Sequence, residues 1–224
     1  MVISLGGSII VPNEIDFKFL DKFRKELRKH CKNYKFVIVC GGGSIARKYI
    51  SALGHEKVSE SELAKAGIRA TRMNALFLMQ LFGKEANEVL PLDMKHIKND
   101  LKKHNIVICG ALRFTPNSTS DGTAARLANQ LKSDFINMTN IKGLFSSNPS
   151  KDKNAKFIPE ISWKNFEKMA LGMKFSAGQH FVLDQEAAII IRKNKIKTYI
   201  IDKDAKNLSN LISGKRFVGT TISK

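Results

Sequence analysis

The chain has 224 residues, 43% of them hydrophobic and 26% charged, which suits one α/β domain with a self-sufficient core and excludes a disordered chain. Its three cysteines, Cys31, Cys40 and Cys109, are scattered and odd in number, which argues against a disulfide scaffold and a zinc ribbon, and no apolar run reaches the length of a membrane span. Lys+Arg is 38 against 20 Asp+Glu, a formal net charge of +18, which leaves two readings open: a nucleic-acid binder with a basic face, or a handler of anionic small molecules with a lysine-rich surface.

The N-terminus carries neither the basic start nor the cleavage site of a signal peptide, so a reducing cytoplasm is the expectation. Val2–Leu5 is a short apolar run closed by Gly6-Gly7, the pattern of a buried strand. A helix is predicted over 15–32, where Phe19, Leu20, Phe23 and Leu27 recur at helical spacing with basic residues between them. Phe36–Cys40 is a second buried strand, closed by Gly41-Gly42-Gly43, and a helix follows over 44–52. A long helix is predicted over 61–82. Its Leu76, Met79, Leu81 and Phe82 are more apolar than one buried face requires, which marks an assembly surface or further core.

A weak strand is predicted at 88–90, a helix at Met94–Lys103 and a buried strand at Ile106–Cys109. A polar loop spans 111–120, and the helix after it, 121–131, is expected to be capped by Asp121. The pattern continues with a strand at 134–138, a polar turn region over 139–155, helices over 162–170 and 183–193, a strand over 197–201 and an edge strand over 217–221. Strands alternating with helices predict a mostly parallel sheet covered on both faces, with ligands beyond the carboxyl ends of its strands.

The residues that could carry chemistry gather at those ends. Gly6-Gly7-Ser8 follows the first strand and Gly41-Gly42-Gly43-Ser44 the second. Such turns expose backbone N–H groups to an anion, and two of them on neighbouring strands could hold two phosphates facing one another. Arg47 lies one helical turn past Gly43, where its planar fork can reach back over the loop. Ser118-Thr119-Ser120-Asp121 opens a helix, and Thr139-Asn140 follows a strand. Gly83-Lys84 and Gly214-Lys215 lack the following Ser or Thr of a Walker A sequence, so a P-loop kinase is excluded.

Taken in order, G-G-S at 6–8, G-G-G-S-x-A-R-K-Y at 41–49, T-R-x-N-A at 71–75, T-S-D at 119–121, T-N-x-x-G at 139–143 and A-G…V-L-D at 177–184 resemble the amino acid kinase superfamily, and within it the archaeal type of uridylate (UMP) kinase. The similarity runs from Met1 to about Val218. It implies a three-layer α/β/α sandwich around a mostly parallel, eight-stranded sheet. One domain over 1–224 is implied, with a UMP-side lobe over roughly 1–130 and an ATP-side lobe over 131–224. It further implies transfer of a phosphoryl group from ATP to UMP with Mg²⁺, and a homohexamer; neither nucleic acid nor membrane is an expected partner.

Carried over residue by residue, the resemblance makes Gly7 and Ser8 the loop that meets the ATP phosphates. Gly41 becomes a backbone contact to UMP, and Gly42 and Arg47 lie between the two nucleotides' phosphates. Thr115, Pro116, Asn117, Ser118, Thr119, Ser120 and Asp121 form the uridine-side loop. Thr139, Asn140, Phe145 and Asn148 hold the adenosine side, and Asp184 is an acidic residue near the transferring group. Gly7, Arg47 and Asp184 are therefore the catalytic candidates, and no metal ligand is assigned. The chain departs from the family pattern at four places: Ser4 stands where many members have a lysine, Ala64 where an acid meets the UMP ribose, Phe145 for a tyrosine and Asn148 for an aspartate. Two alternatives stay open, a superfamily kinase with an isoprenoid-phosphate or acyl-amino-acid acceptor, and a catalytically weak nucleotide- or RNA-binding relative.

Overall fold

The apolar runs do become strands, because each buries both of its faces: every residue of β1 (Val2–Leu5), β2 (Phe36–Cys40), β3 (Ile106–Cys109) and β4 (Phe135–Met138) is buried. The computed structural model describes residues 1–112, 119–150, 152–172 and 182–224. Among these, the sheet has seven strands in the order β3-β2-β1-β4-β8-β9-β7, with β7 at Glu160–Ile161, β8 at Thr198–Ile201 and β9 at Thr220–Ile222. The five strands from β3 to β8 run parallel, and β9 turns antiparallel to β8. The chain builds outward from β1 through β2 to β3, then returns to start β4 on the other side of β1. The crevice at that switch lies beyond Leu5 and Met138.

Helices cover both faces. Ile3, Leu5, Ile38 and Cys40 point into one core with α2 (Phe17–Arg28), α4 (Glu60–Phe82) and α9 (Ala205–Ile212). Val2, Val37 and Val39 point into the other with α5 (Met94–Lys103), α6 (Ser120–Gln130), α7 (Trp163–Gly172) and α8 (Gln185–Lys193). The expected α/β/α layering therefore holds. α1 (Gly7–Ile10) is a single turn after β1, and α3 (Gly43–His55) packs along α4.

Several expectations change. Among the described residues the sheet has seven strands where eight were expected; β5 (Leu144–Phe145) and β6 (Phe157–Ile158) pair with each other there, as a separate two-stranded hairpin. No strand forms at 88–90, because the Asn87 side chain takes its place on the β3 edge. Its Oδ1 accepts from the Ile108 amide at 2.6 Å, and its Nδ2 donates to the Ile108 carbonyl at 3.1 Å and to the Val89 carbonyl at 2.9 Å. The strand expected at the edge over 217–221 is the shorter β9, starting three residues later and ending one later, and it lies inside the sheet, between β8 and β7. The Asn207 amide bonds both the N–H and the C=O of Val218 ahead of it. On α4, Met79 and Phe82 are buried in the core and Leu81 packs partly against it, which leaves Leu76 alone of that quartet exposed.

Asn87→Ala strips two hydrogen bonds from the buried β3 edge and one from the Val89 carbonyl. It should cost about 2–4 kcal/mol, the scale for lost bonds plus stranded backbone groups, read as a lowered urea midpoint.

Candidate functional site

The parallel register that sets Leu5 against Cys40 delivers both glycine turns to the same point. There they meet backbone to backbone. A Cβ on Gly7 would lie 2.0 Å from the Gly43 nitrogen, and one on Gly41 would lie 2.3 Å from the Gly7 nitrogen. Neither obstacle is a side chain that could swing aside, so these two positions require glycine for the turns to touch. Gly43 has φ +63°, the left-handed region that also favours glycine.

The interlock leaves donors over. The Gly6 amide is taken by the Met138 carbonyl, Gly41 by Leu5 and Ser44 by Val11. Among the described residues, the amides of Gly7, Ser8, Gly42 and Gly43 have no acceptor. Gly42 and Gly43 also sit at the positive end of the 13-residue α3. The Ser44 hydroxyl beside them is buried without a hydrogen-bond partner. Arg47 is four residues past Gly43, on the same side of α3, exposed and without an ion pair among the described residues. Together these groups form a cradle of free N–H donors with a guanidinium at its rim, suited to phosphate oxygens.

A second cluster faces the crevice from the other core. Ser4, fully buried in the middle of the sheet, donates from Oγ to Asp121 Oδ1 at 2.7 Å. Asp121 is not the cap of α6 as expected. Thr119 caps it, accepting from the Gly122 amide at 2.9 Å, and Asp121 falls in the first turn with its carboxyl turned toward the sheet. The same Thr119 hydroxyl donates to Asp184 Oδ2, and Asp184 caps α8 by accepting from the Ala187 amide at 2.7 Å. Arg126 and Glu186 form an ion pair between α6 and α8 nearby. Two carboxylates thus stand side by side at adjacent helix starts. Burial, and then the Asp184 charge, push the Asp121 carboxyl from 3.8 to about 7, against the hydrogen bond from Ser4.

The remaining candidates separate. Thr139 lies at the carboxyl end of β4, its amide on the Ile201 carbonyl at 2.9 Å, with the Asn140 side chain beside it and exposed. Phe145 sits on the hairpin, edge-on to Phe157 at 5.4 Å, and Thr220 fixes that hairpin by accepting from the Leu144 amide and donating to the Ile158 carbonyl. Asn148 is committed to a local turn, accepting from the Ser150 amide and hydroxyl. Ser120 opens α6 and is half-buried. Thr115, Pro116, Asn117 and Ser118 lie outside the described residues. The pairings of Ser4 with Asp121 and of Thr119 with Asp184 could not be foreseen: they span 117 and 65 residues of chain, and no local spacing encodes them.

The amino acid kinase family model matches residues 1–202. The uridylate kinase of Thermoplasma volcanium is 35% identical over 225 residues, covering 100% of this chain and 97% of its own. That of Thermococcus kodakarensis is 35% identical over 217 residues, 96% of each chain. The crystal structure of uridylate kinase from Archaeoglobus fulgidus superposes with a TM-score of 0.86 at 33% identity, covering 99% of both chains.

A carboxyl that holds its proton more tightly when folded lends stability at low pH and loses it as pH rises. The contribution of Asp121 to stability should therefore decline as pH rises from about 4 to about 7. Asp121→Asn should flatten that decline and melt higher than the parent at pH 8, as checked by thermal melts across the range.

Proposed function

The chain belongs to the amino acid kinase family and, from that premise, we propose that it phosphorylates UMP to UDP at the expense of ATP. The observation that carries the reading is the pair of interlocked glycine turns with four unclaimed amides at the switch point of the sheet. A site for phosphoryl transfer must bring two phosphate groups together, and free N–H groups on two facing turns do so without a desolvated lysine.

In this reading Gly7 and Ser8 hold the ATP phosphates, Gly41 meets the UMP phosphate, and Gly42 and Arg47 serve both. Thr139, Asn140, Phe145 and Asn148 lie on the adenosine side, and Thr119, Ser120 and Asp121 border the uridine side, along with the neighbouring segment 115–118. The lobes divide near residue 130. Transfer needs little covalent work from the protein. The amides and Arg47 align the attacking oxygen with the phosphorus and stabilise charge as it spreads over the transferring group. Asp184, fixed by Thr119 and the Ala187 amide, is the acidic residue nearest that step.

Mg²⁺ suits the residues present. Asp121 and Asp184 are hard oxygen donors whose carboxyls are close enough for the Asp184 charge to add to burial in raising Asp121. Those two carboxylates would hold the ion jointly with nucleotide phosphates, and its chemistry there is to offset phosphate charge. Ser4 permits this arrangement, since a lysine at its position would fill the same place with a fixed positive charge.

The protein is further proposed to be cytoplasmic and homohexameric. Its cysteines are free thiols, and no helix among the described residues is long and apolar enough to cross a membrane. Met73 and Leu76 stand exposed three residues apart on α4, apolar side chains that assembly would cover. Sedimentation of the wild type should give the mass of a hexamer, and Met73→Glu combined with Leu76→Glu should reduce it; a monomeric wild type would rule the assembly out.

A coupled assay with ATP and Mg²⁺ should show turnover of UMP well above CMP and isopentenyl phosphate. Arg47→Ala should lower kcat/KM for UMP by about 2–4 kcal/mol, the scale for losing one charge-stabilising donor. Unchanged kinetics in that variant would remove Arg47 from the mechanism, and no turnover of UMP by the wild type would refute the proposed activity.

A further inference from the structure

The glycine turn after β2 needs something to hold it. Gly41, Gly42 and Gly43 are three consecutive residues with no side chain to anchor them, and glycine peptides rotate more freely than any others. Each peptide unit is planar and trans, so its C=O and its N–H point in opposite directions. The direction of the Gly41 carbonyl therefore decides where the Gly42 amide points, and the Gly42 carbonyl decides for Gly43. Turning either peptide over would aim a carbonyl, not a donor, at the phosphates.

Both carbonyls are held by one side chain. Asn74, 2% exposed in the middle of α4, donates from Nδ2 to the Gly41 carbonyl at 2.7 Å and to the Gly42 carbonyl at 3.2 Å. The amide nitrogen carries two hydrogens, one for each acceptor. α4 is itself firmly seated behind the turn. A Cβ on Gly42 would come within 3.5 Å of the Gly67 carbonyl and 3.7 Å of the Ala70 side chain. One turn earlier on the same helix, Thr71 Oγ1 accepts from the Ala111 amide at 2.9 Å. Arg72 donates to the carbonyls of Ala111 at 3.1 Å and Leu112 at 2.8 Å. Residues 71–74 thus fasten the exits of β2 and β3 to a single rigid element.

We propose that Asn74 is a positioning residue for phosphoryl transfer: by holding the Gly41 and Gly42 carbonyls against α4, it keeps the Gly42 and Gly43 amides turned into the phosphate crevice. The proposal rests on reading that turn as part of the phosphate cradle. It assigns Asn74 no contact with either nucleotide. Its effect runs through the orientation of two peptides, so it should weigh on turnover more than on nucleotide affinity.

Three variants test this. Asn74→Ala removes the donors. Asn74→Asp keeps the outline of the side chain while replacing the nitrogen with oxygen. Asn74→Ser supplies a hydroxyl too short to reach both carbonyls, and serves if either of the others fails to fold. Each is measured at pH 8 for kcat and KM toward UMP and ATP, for Tm, and for hydrogen exchange of the Ser44 and Ala46 amides, whose acceptors are the Val11 and Gly42 carbonyls. The expected result is a kcat about 10- to 100-fold lower per folded molecule, the range set by small misplacements of a catalytic group, with KM for ATP changed less than about threefold. Exchange at Ser44 and Ala46 should quicken about tenfold or more by the same loosening, and Asn74→Asp should be at least as impaired as Asn74→Ala. A purely structural role would instead lower Tm in Asn74→Ala and Asn74→Asp while leaving kcat per folded molecule and exchange at Ser44 and Ala46 at the wild-type values; that pattern overturns the proposal. If the wild type fails to phosphorylate UMP, the functional reading falls by itself, and the exchange measurement still decides whether Asn74 holds the turn.

Discussion

Two stretches of glycine backbone touching at the carboxyl ends of adjacent parallel strands form the constraint from which the rest of the site follows. The contact exists because β1 and β2 pair in a register that leaves their turns level, and because Gly7 and Gly41 present no Cβ to each other. Where the turns interlock, the amides of Gly7, Ser8, Gly42 and Gly43 are left without an acceptor among the described residues. The start of α3 adds its partial positive charge there, and Arg47 stands over the same edge. A larger residue at either glycine would part the turns and scatter these donors.

Charge in the site is divided by depth. The donors nearest the crevice are backbone N–H groups, whose partial charges cost little to bury once they are held in hydrogen-bonded structure. Ser4, Thr119, Asp121 and Asp184 form a separate hydrogen-bonded cluster in which burial, and then the Asp184 charge, raise the Asp121 carboxyl. In the proposed reading, such a cluster suits a site whose positive charge arrives with the nucleotide. The net charge of +18 belongs to a different scale. Lysines are spread along the whole chain, and in the proposed reading their summed field would raise the encounter rate with anionic nucleotides at low salt.

Local pattern was a good guide wherever one short segment carries its own reason for its structure. The continuous apolar runs of β1 to β4 had to be buried on both faces, and Phe19, Leu20, Phe23 and Leu27 had to line one side of a helix. It was a poor guide where a distant residue supplies the reason. Val89 fits a strand, yet Asn87 caps the edge that a strand at 88–90 would have joined. Asp121 is as good a helix cap as Thr119 by residue type, and it is Ser4, on the central strand and 117 residues away in the chain, that draws it inward. The apolar residues of α4 could not be divided between core and surface until its rotation against β2 and β3 was known.

By itself the sequence determined the alternation of strands and helices, the parallel sheet, the glycine turns that end its strands and, through the order of several short motifs, the family. These depend on periodicity and residue type within a few positions, which the chain carries in full. Only the tertiary structure decided that Gly7 lies against Gly41 and Gly43, that Ser4 and Asp184 converge on Asp121 and Thr119, and that one asparagine on α4 holds two glycine carbonyls. Each of these joins residues 32 to 117 positions apart. Their geometry is fixed by strand register and helix packing, to which every part of the chain contributes and which no single segment encodes.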